Sequence, residues 1–505
     1  MRLNRTGRLI ATLAVALGVT AAAGCGGGIN SSSSGGSSSS VKQTVTVAIP
    51  GDITNYNPYT DTLIAYGYSI QYTVFDGLVK YSPTLGTEPD LATSWSSNAS
   101  GTVWTFNLRH GVKFTDGEPF NAQAAIKSFH AVLAAKSLWD VPLQNATSFA
   151  APNPYKLVIT LSKPYAPFLD GLAKIAMVAP NKLGEVGKTP VGTGPFKFVS
   201  WTPNSQIVLT RNDDYYGAKP AYKTLILKPI TDTTTALTDL AAGNIDIVAT
   251  LPPTSVAQVT KSVAHVVQPH TSNSLELVEF NSSNPATSNP LVRRALSYAL
   301  DKNAINKIAY NGLGTPTWTP VPPTSFAYKA ETGYNYNLTK AKQLLAQAKD
   351  PHPTLTFIIP SGYPDGVQLG RVWQSSLAQI GVKLNVDVMP LSAWLTKWLA
   401  VDYEISWNTF PETSDPGSFY TVIMSAHQND FKDAQFYSEM AAGVSTTVQS
   451  QRKAIYGELQ DQLVSEDPAM IVMREPELSV ASNKVSGYVM NSLGFGLFAG
   501  VKVAK

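Results

Sequence analysis

The sequence predicts an α/β protein with mixed sheets, and three stretches of the chain carry this prediction. Residues 354–389 contain a strand, a helix that Gly381 stops, and a second strand with alternating apolar side chains. Two strands joined through a helix in this way pair in parallel, through a right-handed crossover. Residues 233–248 contain a helix, the stop signal Gly243 and a strand, whereas residues 103–108 alternate as a half-buried strand.

Alternating apolar side chains and capping residues predict the remaining elements. One long helix is expected over residues 291–310, since Asn289 and Pro290 form a start signal and Ile308 falls on its apolar face. Further strands are predicted at residues 45–49, 103–114 and 157–161. Two further helices are predicted to begin after the capping residues Asn121 and Asn337.

The first 24 residues have the composition of an export signal. Three arginines precede an apolar run over residues 9–23, and small residues follow it. The run is shorter than the about 20 apolar residues that a membrane-spanning helix needs. Residues 1–24 are therefore predicted to be a signal peptide that is removed on export.

Cys25 is the only cysteine of the chain, and it directly follows Ala22-Ala23-Gly24. This arrangement resembles the lipobox of bacterial lipoproteins, in which the thiol receives diacylglycerol and the chain is cut before the cysteine. The resemblance implies a lipoprotein signal peptide, with residues 25–43 as the lipidated cysteine and a flexible Gly/Ser linker. The alternative is a soluble secreted protein with an incidental cysteine in its signal.

Composition excludes several classes of function. The formal charge of +3 falls to 0 when residues 1–24 leave with three arginines and no acidic residue, so a nucleic-acid partner is not expected. With Cys25 lipidated, no thiol remains for a disulfide or a metal site. The six histidines show no i, i+4 pair, and neither a nucleophile elbow nor a phosphate loop occurs. No cofactor, metal or catalytic residue is therefore predicted.

A series of motifs along the chain is similar to the family-5 extracellular solute-binding proteins, the peptide, nickel and oligosaccharide receptors of ABC importers. The most specific motif is WTFNLRHGVKFTDG at residues 104–117. The similarity covers residues 44–505. The other matching segments lie at 57–58, 75–79, 88–95, 191–196, 211–216, 243–246 and 292–296.

The resemblance implies a periplasmic-binding-protein-like fold of class II type, in which two lobes with mixed sheets close about a hinge over a ligand. It assigns residues 276–479 to the second lobe and residues 76–187 to an extra domain of the first lobe. The first lobe itself would consist of residues 44–75, 188–275 and 480–505. Ligand binding to such lobes shifts an equilibrium between open and closed forms.

By the same resemblance, the chain is expected to be the substrate-binding lipoprotein of an ABC importer. It would capture short peptides in the cleft and deliver them to the transmembrane subunits of the permease. It would act as a monomer, anchored to the cell membrane on its periplasmic or outer face, and not as an enzyme. Three alternatives stay open: a receptor for an oligosaccharide or nickel chelate, a surface lipoprotein hydrolase, and a sensor for a signalling partner.

The resemblance also places candidate ligand contacts. Glu412 falls where peptide-binding members carry an acidic residue that pairs with the α-ammonium group of the ligand, a charge-assisted bond in a poorly hydrated cleft. Trp407, Tyr56, Thr62 and Tyr66 are expected to line the cleft. The alternatives are a solvated loop carboxylate for Glu412 and packing within a domain for the aromatic side chains.

Overall fold

The computed structural model describes residues 41–505, apart from 61–63, 270–271, 351, 412–414 and 425–428. The predicted signal peptide and Cys25 therefore lie outside the described residues. Residues 41–43, which the sequence assigned to the linker, are attached to the folded chain. The ammonium of Lys42 lies 2.9 Å from a carboxylate oxygen of Asp246, and its backbone N–H donates to the carbonyl of Val503. Among the described helices, none is long and apolar enough to cross a membrane.

The described residues include a seven-stranded mixed sheet. Its central strand, Thr44–Ile49, pairs in parallel with Thr224–Pro229 on one side and with Ile247–Val248 on the other. The central strand is almost wholly buried, as expected for a strand with parallel neighbours on both sides. From edge to edge the strands are Ala264–Val267, Ser479–Ser482, Ile247–Val248, Thr44–Ile49, Thr224–Pro229, Gln206–Arg211 and Phe196–Thr202.

A second sheet, six-stranded within the described part of the chain, is also mixed. Its strands Thr354–Pro360 and Lys383–Met389 pair in parallel, and the Pro364–Ala378 helix connects them. The predicted strand–helix–strand unit is thereby confirmed, and Gly381 has the positive φ of +85° that favours glycine. From edge to edge the strands are Thr315–Pro316, Ala469–Arg474, Ser274–Phe280, Ile405–Pro411, Thr354–Pro360 and Lys383–Met389.

An antiparallel four-stranded sheet lies between residues 92 and 161, with the Ala122–Ala135 helix beside it. Asn121 caps this helix as predicted, because its side chain accepts a hydrogen bond from the N–H of Ala124 at 3.0 Å. The strands of this sheet are Ala92–Ser97, Val103–Leu108, Lys156–Leu161 and Ala146–Asn153. Short strand pairs elsewhere are Val79–Tyr81 with Thr87–Pro89, Val485–Ser486 with Lys502–Val503, and Val489–Met490 with Gly496–Leu497.

Two of the remaining helices carry the start and stop signals that the sequence predicted. Gly243 ends one of them with φ +79°, and Asn337 caps another, so both predicted signals are confirmed. The α-helices are Ile64–Val74, Phe168–Leu172, Thr233–Ala242, Leu338–Gln347, Leu391–Leu399, Gly417–Val422, Ala434–Ser445 and Gln449–Glu466, and the 3₁₀-helices are Leu138–Leu143, Pro180–Lys182 and Pro253–Gln258.

The long helix predicted over residues 291–310 is wrong, since the structure has two helices, Pro290–Tyr298 and Lys302–Ala309. Asp301 separates them. Its carboxylate accepts hydrogen bonds from the N–H groups at positions 303 and 304 and so caps the second helix. Because a new helix begins after Asp301, a different face of the chain is buried, and Ile308 is 48% exposed where the sequence predicted burial.

The strand predicted over residues 103–114 is shorter in the structure, where it spans Val103–Leu108. Gly111 has a φ of +73°, a left-handed conformation that ends an extended run. Beyond it the chain forms a turn that the bridge between Lys113 and Pro119 closes.

The chain passes between the large sheets twice. One connection joins Val267 to Ser274 and includes residues 270–271, which lie outside the described residues, and the other joins Arg474 to Ser479. We call the part built on the seven-stranded sheet the first lobe and the part built on the six-stranded sheet the second lobe. The domain boundaries that the sequence suggested stay a prediction.

Gly192 shows how tightly one predicted motif packs in the first lobe. A Cβ atom at this position would lie 2.6 Å from Cδ1 of Phe75, at the end of the Ile64–Val74 helix. Overpacking of this kind costs about 1–3 kcal/mol, so Gly192→Ala should lower the free energy of unfolding by that amount in urea titrations. Gly184→Ala is the control, because nothing lies within 4 Å of its added Cβ. Equal losses in both variants would contradict the packing argument.

Candidate functional site

A cavity of about 260 Å³, here called the cleft cavity, lies between the second lobe and the segment that carries the four-stranded sheet. Leu493 and Phe495 from the C-terminal segment complete its lining. On the segment's side the wall consists of Val141, Pro142, Tyr165, Pro167, Gly171 and Lys174. On the second lobe's side it consists of Trp394, Leu395, Trp398, the strand end at 408–411, Ser418 and residues 421–423.

Two stacked indole rings contribute apolar surface to the cleft cavity. Trp394 and Trp398 lie one turn apart on the Leu391–Leu399 helix, with ring centroids 5.6 Å apart and planes inclined by 12°. They share a helix face because residues four apart on a helix are neighbours. Large, rigid aromatic surfaces of this kind bind apolar parts of a ligand at little entropic cost.

Buried hydrogen bonds hold both indoles in place. The Nε1–H of Trp394 donates to Oγ of Ser406 at 3.0 Å, and that of Trp398 donates to Oε2 of Glu279 at 2.6 Å. The same Glu279 oxygen accepts a bond from the side-chain amide of Asn408, which also lines the cavity. Burial raises the pKa of Glu279 to about 8, although these two hydrogen bonds lower it. Glu279 is therefore a positioning residue beneath the cavity wall.

The opposite wall is joined to the second lobe by backbone. The N–H of Ala166 donates to the carbonyl of Val444 at 2.7 Å, which holds Tyr165 and Pro167 against the Ala434–Ser445 helix of the second lobe. Burial raises the pKa of Tyr165, so its hydroxyl stays protonated. This contact joins two of the parts of the chain that line the cleft cavity.

A buried ion pair supports the short Gly417–Val422 helix, which brings Ser418, Thr421 and Val422 to the cavity. The guanidinium of Arg452 meets the carboxylate of Asp415 through two bonds of 2.7 and 2.8 Å. Asp415 also accepts the N–H of Gly417 at 2.9 Å. The bidentate geometry is the strong form of this interaction, and it fixes where the helix begins.

A network of carboxyl groups lies next to the cavity, at the second crossing between the lobes. Glu475 accepts hydrogen bonds from the hydroxyls of Ser274 and Thr409, at 2.7 and 2.9 Å. The hydroxyl of Tyr310 lies 3.4 Å from both Glu475 and Asp365. Burial raises the pKa of Glu475 well above its usual range, and Asp365 raises it further. In the described chain, no group of His, Cys, Asp and Glu side chains is arranged to hold a metal ion.

The sequence profile of the bacterial extracellular solute-binding proteins, family 5 (middle), matches residues 86–431, which is more than half of the chain. The chain belongs to this family. It is thus a solute-binding protein of the kind that serves ABC importers, and the two-lobed fold agrees with that membership.

Three known proteins resemble this family-5 protein over most of its length. The probable D,D-dipeptide-binding periplasmic protein DdpA of Escherichia coli is 26% identical, over 84% of this chain and 87% of its own. The glutathione-binding protein GsiB of Salmonella typhimurium is 27% identical, over 89% and 93%. The periplasmic binding protein DppA of Helicobacter pylori, whose structure was solved in complex with the peptide STSA, is 26% identical in sequence. Its structure matches with a TM-score of 0.78, over 92% of this chain and 98% of its own.

The structure locates two of the predicted ligand contacts inside the lobes. Trp407 is 1% exposed, and its Nε1–H donates to Oε1 of the buried Glu276 at 2.9 Å. Tyr56 is 2% exposed and packs edge-on against Phe198 in the first lobe, with ring centroids 5.2 Å apart. Neither ring lines the cleft cavity, although the four residues that follow Trp407 do. Their role as ligand contacts stays a prediction.

The other predicted contacts, Glu412, Thr62 and the side chain of Tyr66, lie outside the described residues. Glu412 directly follows Pro411, which lines the cleft cavity. Sequence reasoning missed both the Leu391–Leu399 helix and the paired indoles, although residues four apart lie on one face of a helix. No local pattern singles out Tyr165 or Lys174, because only the fold brings them to the cavity.

Proposed function

We propose that this family-5 solute-binding protein is a lipid-anchored receptor that captures short peptides and delivers them to the permease of an ABC importer. Lipidation at Cys25 would hold it on the outer side of the cell membrane, and residues 26–40 would act as a flexible tether. The lobes would follow the boundaries derived from the resemblance, with residues 76–187 as the extra domain. It would work as a monomer and without a cofactor.

The cleft cavity carries this proposal. It is closed by two walls that come from different parts of the fold, which is what a receptor needs in order to enclose a solute. Its volume of about 260 Å³ lies just below the about 300–1,000 Å³ that ligand pockets occupy. This size favours a short peptide over a long one. The names of the relatives, which mention a dipeptide, glutathione and the peptide STSA, support the same class of ligand.

Glu412 is proposed to pair with the ammonium group of the peptide from the second lobe's side of the cavity. The support is its place directly after Pro411, a lining residue. Trp407, Tyr56, Thr62 and Tyr66 are proposed as further contacts. For the two buried rings among them, Trp407 and Tyr56, contact with ligand requires a rearrangement within the lobe that uncovers part of the ring.

Replacing Glu412 by glutamine should weaken peptide binding about tenfold or more, because a charge-assisted bond becomes a neutral one. Native mass spectrometry of protein from its own host first identifies the released ligand, and titration calorimetry then gives the affinity of each variant. Tryptophan fluorescence should report the same event, since Trp394 and Trp398 line the cavity. The control is Glu458→Gln, at an exposed position on the Gln449–Glu466 helix.

These measurements separate a peptide receptor from the alternative functions and test the lipid anchor. A released sugar or nickel chelate would contradict the peptide assignment and favour the alternative receptor, and cleavage of an added peptide would favour a hydrolase. Unchanged peptide affinity in Glu412→Gln would remove Glu412 from the site. The mass of the mature chain tests the anchor, because an unmodified cysteine would contradict lipidation at Cys25.

A further inference from the structure

The polar side chains on the second lobe's side of the cleft cavity already have partners within the chain. The hydroxyl of Thr409 donates to Glu475 at 2.9 Å, and that of Thr421 donates to the carbonyl of Gly417 at 2.6 Å. The amide of Asn408 donates to Glu279. A ligand that binds this wall therefore meets committed polar groups and the apolar faces of the two indoles.

Lys174 is different. It lines the cavity directly after the Phe168–Leu172 helix, it is half-buried, and its backbone N–H is bound to the carbonyl of Gly171 at 3.2 Å. Its ammonium has neither a hydrogen bond nor an ion pair with any described residue. Of the described residues that line the cavity, it alone carries a charge, so the lining is net positive.

The ammonium group of Lys174, in a cavity with apolar walls, requires an anionic partner once water is displaced. When a ligand fills the cavity and displaces water, an unpaired charge there would be costly, whereas a carboxylate would form a short charge-assisted hydrogen bond with it. The apolar indole surface of Trp394 and Trp398 lies in the same cavity. The matching solute is small, with an apolar body and one carboxylate.

We propose that Lys174 binds the carboxylate of the ligand. This inference rests on the proposed function, in which the carboxylate is the C-terminus of a short peptide. Lys174 and Pro411, the residue before Glu412, lie on opposite walls of the cavity. The peptide would therefore lie across the cavity, with its N-terminus toward the second lobe and its C-terminus toward Lys174.

The test compares the dipeptide Leu-Phe with its C-terminal amide by titration calorimetry. The wild-type protein should bind the free acid about tenfold or more tightly than the amide, since loss of one partner of a buried charge pair commonly costs that much. Lys174→Met should lose about 30-fold in affinity for the acid and little for the amide. Lys397→Met is the control, because this lysine pairs with Asp402 on the surface. Its preference for the acid should equal that of the wild type.

Failure of this inference can be separated from failure of the peptide assignment. If the acid and the amide bind the wild type equally, or Lys174→Met keeps the preference, Lys174 does not hold the carboxylate although peptides are still ligands. If neither dipeptide binds, 3-phenylpropionate and 3-phenylpropionamide replace them. A preference for the carboxylate that Lys174→Met abolishes supports the inference without the peptide assignment, and its absence overturns the inference. Circular dichroism of Lys174→Met should match the wild type, since the side chain is half-buried.

Discussion

Arg452→Met should lower the free energy of unfolding by about 3–5 kcal/mol, the usual cost of removing one partner of a buried ion pair. The side chain of Arg452 is 7% exposed and that of Asp415 is 11% exposed, so water cannot replace the lost guanidinium. The variant also loses the bond of 2.8 Å from Nε of Arg452 to the carbonyl of Gly443. Urea unfolding at neutral pH, followed by circular dichroism, measures the difference.

Two further variants show whether the loss comes from an unpaired buried charge. The double variant Arg452→Met/Asp415→Asn should recover part of the stability, because no charge is then left unpaired and the asparagine can still accept the N–H of Gly417. Lys397→Met breaks an ion pair of 2.7 Å that lies on the surface, and such pairs are worth about 0–1 kcal/mol. If Arg452→Met costs no more than Lys397→Met, the buried pair does not stabilise the fold in this way.

The same substitution should disturb the ligand site. Asp415 and Arg452 fix the start of the Gly417–Val422 helix, which brings three residues to the cleft cavity. Ligand affinity of Arg452→Met, measured well below its unfolding temperature, should therefore fall, whereas Lys397→Met should retain it. The ion pair thus connects the stability of the second lobe with the shape of the site.

Elements determined by neighbouring residues could be predicted from the sequence. Asn121 and Asn337 cap helices because their side chains bind backbone N–H groups a few residues away. Gly243 and Gly381 stand at or just after helix ends because a residue without a side chain adopts a positive φ easily. The break between the two helices at Asp301 could not be predicted in this way, because it does not depend on neighbouring residues alone. An aspartate in a helical pattern can be a surface residue or a new cap, and only packing around it selects the cap.

The cleft cavity could not be derived from periodicity. Its lining comes from positions as far apart as Val141 and Phe495, and Trp394 shares it with Tyr165 only because the second lobe meets the segment with the four-stranded sheet there. The motifs identified the family, but a family motif gives the fold and not the side chains that this chain places in its cavity. Lys174 illustrates the limit, since a lysine after a short helix is usually a solvated surface residue.

Alternation of polar and apolar residues also failed to predict which acidic residues are buried. Glu276 and Glu279 lie in the strand Ser274–Phe280, and both are 0% exposed. This strand lies between Ile405–Pro411 and Ala469–Arg474 in the six-stranded sheet, and every residue in it is buried. Alternation predicts solvent exposure for polar residues only where one face of a sheet meets water.

Burial of these groups predicts that the protein becomes less stable as the pH rises. Burial raises the pKa of Glu276 to about 8, with Asp365 raising it further and the hydrogen bond from Trp407 lowering it. Between the usual glutamate pKa of about 4.3 and this raised value, the folded state holds a proton that the unfolded state has released. The free energy of unfolding should therefore fall across this range of pH. Since a tenfold change in acidity corresponds to about 1.4 kcal/mol, Glu276 accounts for at most about 5 kcal/mol of the fall.

Glu276→Gln isolates this residue, because the amide oxygen can still accept the Nε1–H of Trp407 and the side chain no longer titrates. In urea titrations at several values between pH 4.5 and 8.5, the variant should match the wild type at the acidic end and exceed its stability at the basic end. Glu458→Gln, at an exposed position, should follow the wild type throughout. Parallel curves for Glu276→Gln and the wild type would mean that Glu276 titrates normally. A shallower curve for Glu276→Gln would mean that the carboxyl group bonded to Trp407 is neutral in the folded protein.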